Sequence, residues 1–127
     1  MSILESLHEL CISKGISFAV AESCTAGLVA SNITSISGSS EYFKGGIIAY
    51  QNEIKIKILD ISKELIANKT EVSADVTEKM AYNTLSYFDV DFSVATSGYS
   101  GPSGGTSMNS VGTIFIAVLD GMANPTP

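Results

Sequence analysis

Ser23 is the residue best placed for chemistry. It lies in Ala21-Glu22-Ser23-Cys24-Thr25-Ala26-Gly27, where a short apolar run from residue 16 to 21 gives way to Leu28, Val29, Ile33 and Ile36 at roughly helical spacing. A serine at such a strand-to-helix turn can expose its hydroxyl while its backbone stays fixed. The free N–H groups of the helix start can stabilise an anion beside it. Downstream, Tyr50-Gln51-Asn52-Glu53-Ile54-Lys55 supplies a lysine that could take the serine proton. A lysine does this only when burial or nearby positive charge lowers its pKa. Tyr50 could orient a substrate or hydrogen-bond the nucleophile.

Each of these residues has a plainer role. Ser23 could simply cap a helix, Lys55 could be solvated, and Tyr50 could pack on the core as strand-end aromatics do. Glu22 either orders the turn or offers charge to a cationic ring, and the structural role is expected. Cys24 has only His8 as a histidine to activate it, so it is read as a small buried residue. The loop from Ser97 to Gly105 has glycines at 98, 101, 104 and 105. Consecutive N–H groups there could turn toward an anion, although the loop matches neither the Walker nor the dinucleotide pattern and could equally be a surface loop. No His, Cys, Asp or Glu cluster has metal-ligand spacing, and no metal or cofactor is expected.

The elements that must position these residues follow from hydrophobic pattern and turn signals. Leu4, Leu7, His8, Cys11 and Ile12 share a helical face over residues 2–14, which ends at Gly15. Strands are expected over residues 16–21, 45–50, 92–96 and 112–119. One helix follows from Thr25, a second is capped by Asn52 and carries Lys55, and a third is capped by Ser73 or Asp75. Strands alternating with helices predict one α/β layered domain over residues 1–127, with the loops near Ser23, Tyr50 and Ser97 at one sheet edge.

Composition sets the class. The chain has 127 residues, 45% of them hydrophobic, enough for one core. No run approaches the ~20 apolar residues of a membrane span, and residues 1–5 lack a signal-peptide pattern, so no membrane role and a cytoplasmic location are expected. Cys11 and Cys24 are expected to be free thiols. With a net charge of −6 and seven lysines as the only Lys or Arg residues, the composition argues against non-specific nucleic-acid binding, and no nucleic-acid partner is expected.

Together the motifs resemble the CinA C-terminal domain family of nicotinamide mononucleotide deamidases. The family's Ala-Glu-Ser-Cys-Thr-Gly-Gly is similar to residues 21–27, with Ala26 for the first glycine. Its Gly-Ser-Ser, Phe, Gly and Tyr-Ser-Asn-Glu-X-Lys run is similar to Gly38-Ser39-Ser40, Phe43, Gly45 and residues 50–55. Its Val-Ser resembles Val72-Ser73, its Ser/Thr-Gly-X-Ala-Gly-Pro-X-Gly-Gly loop resembles residues 97–105 with Ser100 for the alanine, and its Val-Gly-Thr matches Val111-Gly112-Thr113. The resemblance implies a three-layer α/β/α fold with a mixed sheet, and metal-free hydrolysis of nicotinamide mononucleotide, a small-molecule nucleotide, to nicotinate mononucleotide and ammonia. By position it implies Ser23 as nucleophile, Lys55 as general base, Tyr50 and Ser97 as supporting residues, and substrate contacts at Thr25, Ser97, Gly98, Gly101, Gly104 and Gly105.

Family members continue past the strand matching residues 112–119 into a further strand, a Gly-Asp-Arg segment with an active-site arginine, and a terminal helix. None of these is present here. The alternative is therefore a catalytically impaired nucleotide-binding or assembly module of the same fold. The run from Thr113 to Leu119 also reads as a strand meant to be covered on both faces, which predicts a homodimer or higher homo-oligomer around Ile114, Ile116 and Val118.

Overall fold

In a computed structural model the described residues are 2–99 and 109–121. The first helix, α1 (Ile3–Lys14), starts from a reciprocal cap in which Ser2 accepts from the Glu5 N–H and the Glu5 carboxylate accepts from the Ser2 N–H. Cys11 is buried on its inner face, whereas Ile12 stands 47% exposed and off the expected face. Both cysteines are free thiols.

Four strands form one mixed sheet in the order β2-β1-β3-β4, namely β1 (Phe18–Glu22), β2 (Phe43–Ile48), β3 (Phe92–Gly98) and β4 (Ile114–Asp120). β1 pairs in parallel with β2 and β3, while β4 runs antiparallel to β3. Every residue of β1 is buried, as a central strand flanked on both sides requires. β1 begins two residues later than its sequence pattern suggests and takes in Glu22. β2 is displaced the other way, ending at Ile48 and leaving Tyr50 in the following loop.

The two sheet faces are packed by different elements. On one, Ala21, Ala95 and Ala49 meet Val76, Met80 and Ala81 of the long helix Ala74–Phe88, and the small residues of the strands let that helix sit close. On the other, Phe18, Val20 and Tyr42 pack with Cys11 of α1 and with Ile33 of α2 (Leu28–Ile33). Phe18 stacks on Phe92 at 4.7 Å between ring centroids. Two further helices, α3 (Asn52–Lys57) and α4 (Lys63–Lys69), link β2 to the long helix, which becomes α5. α4 was not visible in the sequence pattern because it buries no residue completely.

β4 is an edge strand, and the apolar face for which the sequence predicts a partner stands open. Its residues alternate in exposure, with Phe115, Ala117 and Leu119 toward α5, while Ile116 and Val118 on the other face are 68% and 66% exposed. Among the described residues the strand is covered on one face only. Among the described residues no helix is long and apolar enough to cross a membrane.

Candidate active site

The turn that carries Ser23 is built around Glu22. The chain leaves β1 and makes a turn in which Ala26 takes φ 50° and Gly27 φ 99°, so α2 starts at Leu28 and not at Thr25. The Glu22 side chain accepts hydrogen bonds from the Thr25 hydroxyl at 2.6 Å and from the N–H groups of Gly27, Val29 and Ala30 at 3.2, 2.9 and 2.9 Å. Burial acts to raise the Glu22 pKa, but these four hydrogen bonds outweigh it and hold the carboxyl below its ordinary value. This settles the choice for Glu22 in favour of ordering the turn.

It also corrects where an anion could bind. The N–H groups at the start of α2 are occupied by Glu22, whereas those of Cys24 and Thr25, adjoining Ser23, have no backbone acceptor among the described residues and face the Cys24 sulfur. Ser23 itself is fixed by its N–H, which donates to Thr96 O at 3.1 Å, and by its carbonyl, which accepts from the Ala26 N–H at 3.1 Å.

Lys55 sits on α3, whose cap position is Gln51 rather than Asn52 and lacks a side-chain capping bond. It is only 2% exposed. Its Nζ donates to the backbone carbonyl of Glu71 at 3.4 Å and forms no ion pair among the described residues. Burial pushes its pKa below the ordinary lysine value, while the Glu71 carboxylate and the Cys24 sulfur act the other way. Of the two readings of Lys55, the solvated one is thus excluded.

Ser23, Cys24, Tyr50, Lys55, Glu71 and Tyr99 line one cavity of about 410 Å³. The sequence pair Ser23 and Lys55 is therefore brought together from the ends of β1 and β2. Tyr50 is 67% exposed at this cavity, not packed in the core. Cys24 is half-buried, and burial raises its thiol pKa, which disfavours the thiolate a nucleophile needs.

The remaining expected residues divide. Ser97 is fully buried behind the cavity wall, donating to the same Glu71 carbonyl at 3.2 Å that Lys55 uses. The Thr25 hydroxyl is engaged by Glu22 and, at 2.8 Å, by Thr96, so it serves the turn and does not line the cavity. Gly98 does line it, and a Cβ there would come within 2.6 Å of Thr113 O, so this position needs glycine for β3 to approach β4. Gly101, Gly104 and Gly105 lie outside the described residues.

Two residues that the sequence did not single out complete the wall. The Tyr99 hydroxyl donates to Glu71 Oε1 at 3.0 Å. Burial, and then the hydrogen bond and charge of Glu71, raise the Tyr99 pKa and favour its protonated, donating form. Thr70, immediately before Glu71, holds φ 69° and ψ 160°, a region ordinarily left to glycine. Its hydroxyl donates to Val72 O at 2.9 Å and its carbonyl accepts from Ser73 Oγ at 3.2 Å, which hold the bend. The only hint available in the sequence was adjacency to Val72-Ser73.

A second cleft of about 400 Å³ lies between α5 and β4, lined by Thr77, Glu78, Phe115 and Leu119 among others. It contains neither a lysine nor a serine and does not compete as a chemical site.

Fold and cavity together define an α/β protein in which a serine at a strand-to-helix turn and a buried lysine line one cavity. The chain belongs to the CinA C-terminal domain family, whose model matches residues 1–124. It is 46% identical over 112 residues to a CinA-like protein of Flavobacterium psychrophilum, covering 88% of this chain and 27% of that protein. To a CinA-like protein of Shewanella pealeana it is 41% identical over 117 residues, covering 92% of this chain and 28% of the other. The chain thus spans little more than a quarter of these relatives. Among solved structures it superposes on competence damage-inducible protein A of Klebsiella pneumoniae with a TM-score of 0.88 at 26% identity, covering 92% of this chain and 73% of that one. It superposes on the competence/damage inducible protein CihA of Agrobacterium tumefaciens with a TM-score of 0.84 at 32% identity, covering 94% and 78%.

Proposed function

We propose that this domain hydrolyses the carboxamide of nicotinamide mononucleotide through a serine acyl-enzyme. The observation that carries the proposal is the shared cavity of Ser23 and Lys55, in which the lysine is buried, has no ion-pair partner among the described residues and has its pKa lowered. Those are the conditions under which an amine can serve as a base.

In its neutral form Lys55 takes the proton from Ser23 Oγ as the oxygen attacks the carboxamide carbon. The Cys24 and Thr25 N–H groups receive the developing oxyanion. The C–N bond then breaks, and Lys55 returns the proton to the leaving nitrogen, releasing ammonia. Water, deprotonated by Lys55, attacks the ester; nicotinate mononucleotide leaves and the Ser23 hydroxyl is restored.

A second reading, a nucleotide-binding or assembly module without turnover, is favoured by one specific observation: the chain has no arginine to bind phosphate strongly. Ammonia release separates the two. The purified chain is expected to release ammonia from nicotinamide mononucleotide, and Ser23→Ala to abolish release while leaving the thermal midpoint nearly unchanged. Equal activity in the variant would remove Ser23 from the mechanism.

A further inference from the structure

Among the described residues that line the cavity Glu71 is the one carboxylate, and Lys55 is the one basic side chain. Lys55 donates to the Glu71 backbone carbonyl, not to its carboxylate, so the lysine and the carboxylate act on each other through space without a direct hydrogen bond or ion pair between them. The hydrogen-bond donor to that carboxylate is the neutral phenol of Tyr99 at 3.0 Å, which fixes its position without cancelling its charge. The backbone beneath it is held by the bend at Thr70 and by the Lys55 and Ser97 hydrogen bonds to the Glu71 carbonyl. A half-buried carboxylate so placed, with no cation paired to it among the described residues, suits a ligand that brings its own positive charge.

We propose that Glu71, positioned by Tyr99, selects a positively charged aromatic ring, so that the site prefers oxidised pyridinium nucleotides over neutral-ring analogues carrying the same carboxamide, ribose and phosphate. This rests on the amide-hydrolase reading of the site and adds to it a residue that determines specificity. Glu22, the other carboxylate beside Ser23, is consumed by the α2 turn and cannot serve this purpose.

The test uses the non-hydrolysing Ser23→Ala chain and two probes, nicotinamide mononucleotide and its dihydro form, whose ring is neutral. Calorimetry is carried out with and without Glu71→Gln, a change that keeps an oxygen for the Tyr99 hydroxyl. The expected result is about a tenfold loss of affinity for the oxidised ligand, the scale of one partly screened charge pair, and less than a twofold change for the dihydro ligand. Equal changes for both would overturn the proposal and show Glu71 acting through Lys55 or through the fold. Tyr99→Phe is expected to weaken the oxidised ligand selectively but less, because the charge remains while its fixing bond is lost; an equal effect on both ligands would count against the role of Tyr99. If neither ligand binds the Ser23→Ala chain, this inference and the function on which it rests fall together. Selective binding without ammonia release from the unmutated chain would overturn only the hydrolase reading.

Discussion

Lys55 shows how one buried residue links chemistry to stability. Desolvation disfavours its ammonium form, so its pKa in the folded chain lies below the value of ~10.4 it has when unfolded. Between those two values the unfolded chain binds more protons, and stability must rise with pH across that window. The penalty is fully present below the folded pKa and gone above the unfolded one. Denaturant midpoints measured from neutral to alkaline pH, compared with Lys55→Met, are expected to show this rise in the unmutated chain and its absence in the variant. A parallel pair of curves would mean that Lys55 is not held against its own charge.

At the scale of elements, the β1–α2 turn explains a departure from the family motif. Ala26 occupies the place of the first glycine and is held at φ 50°, a left-handed conformation that costs a residue with a Cβ about 1–2 kcal/mol. Glu22 compensates by gathering the N–H groups of Gly27, Val29 and Ala30. Ala26→Gly removes the strain but adds freedom to the unfolded chain. A net gain of about 0.5–1 kcal/mol is expected in equilibrium unfolding; a loss would show that the methyl group makes a compensating contact.

Other elements were legible to differing degrees, for physical reasons. α1 and α5 could be read because a capping serine precedes apolar residues at helical spacing, and Ser73 does cap α5 by accepting from the Val76 N–H at 3.2 Å. α4 left no trace because its side chains stay partly or fully exposed. β4 was legible as an apolar strand, but an unbroken apolar run does not say which of its faces a helix of the same chain covers, and the packing of α5 decides that. Residue type and position made Ser23 and Lys55 only a weak pair, and the family resemblance is what singled them out. Glu71 could not be found, since nothing in a loop glutamate announces that a strained threonine and a buried tyrosine will aim it into a cavity.

At the scale of the whole molecule, the open face of β4 is the feature that invites a partner. Ile114, Ile116 and Val118 are 43%, 68% and 66% exposed along an edge strand that pairs, among the described strands, with β3 alone. A second copy of the chain, pairing edge to edge, is the expected occupant. Sedimentation at micromolar concentration should show a dimer or larger species, and Ile116→Lys should return it to a monomer. A soluble, stable monomer of the unmutated chain would contradict that expectation.

The central claim is that a buried lysine in its neutral form activates Ser23 within one cavity. Its most direct test is the pH dependence of ammonia release from nicotinamide mononucleotide, measured for the unmutated chain and for Lys55→Arg. Release should rise with pH through an apparent pKa below ~10.4, and Lys55→Arg should release none at any pH at which it stays folded, because arginine keeps its proton. A Lys55→Arg chain as active as the unmutated one would show that the site needs the positive charge and not the base.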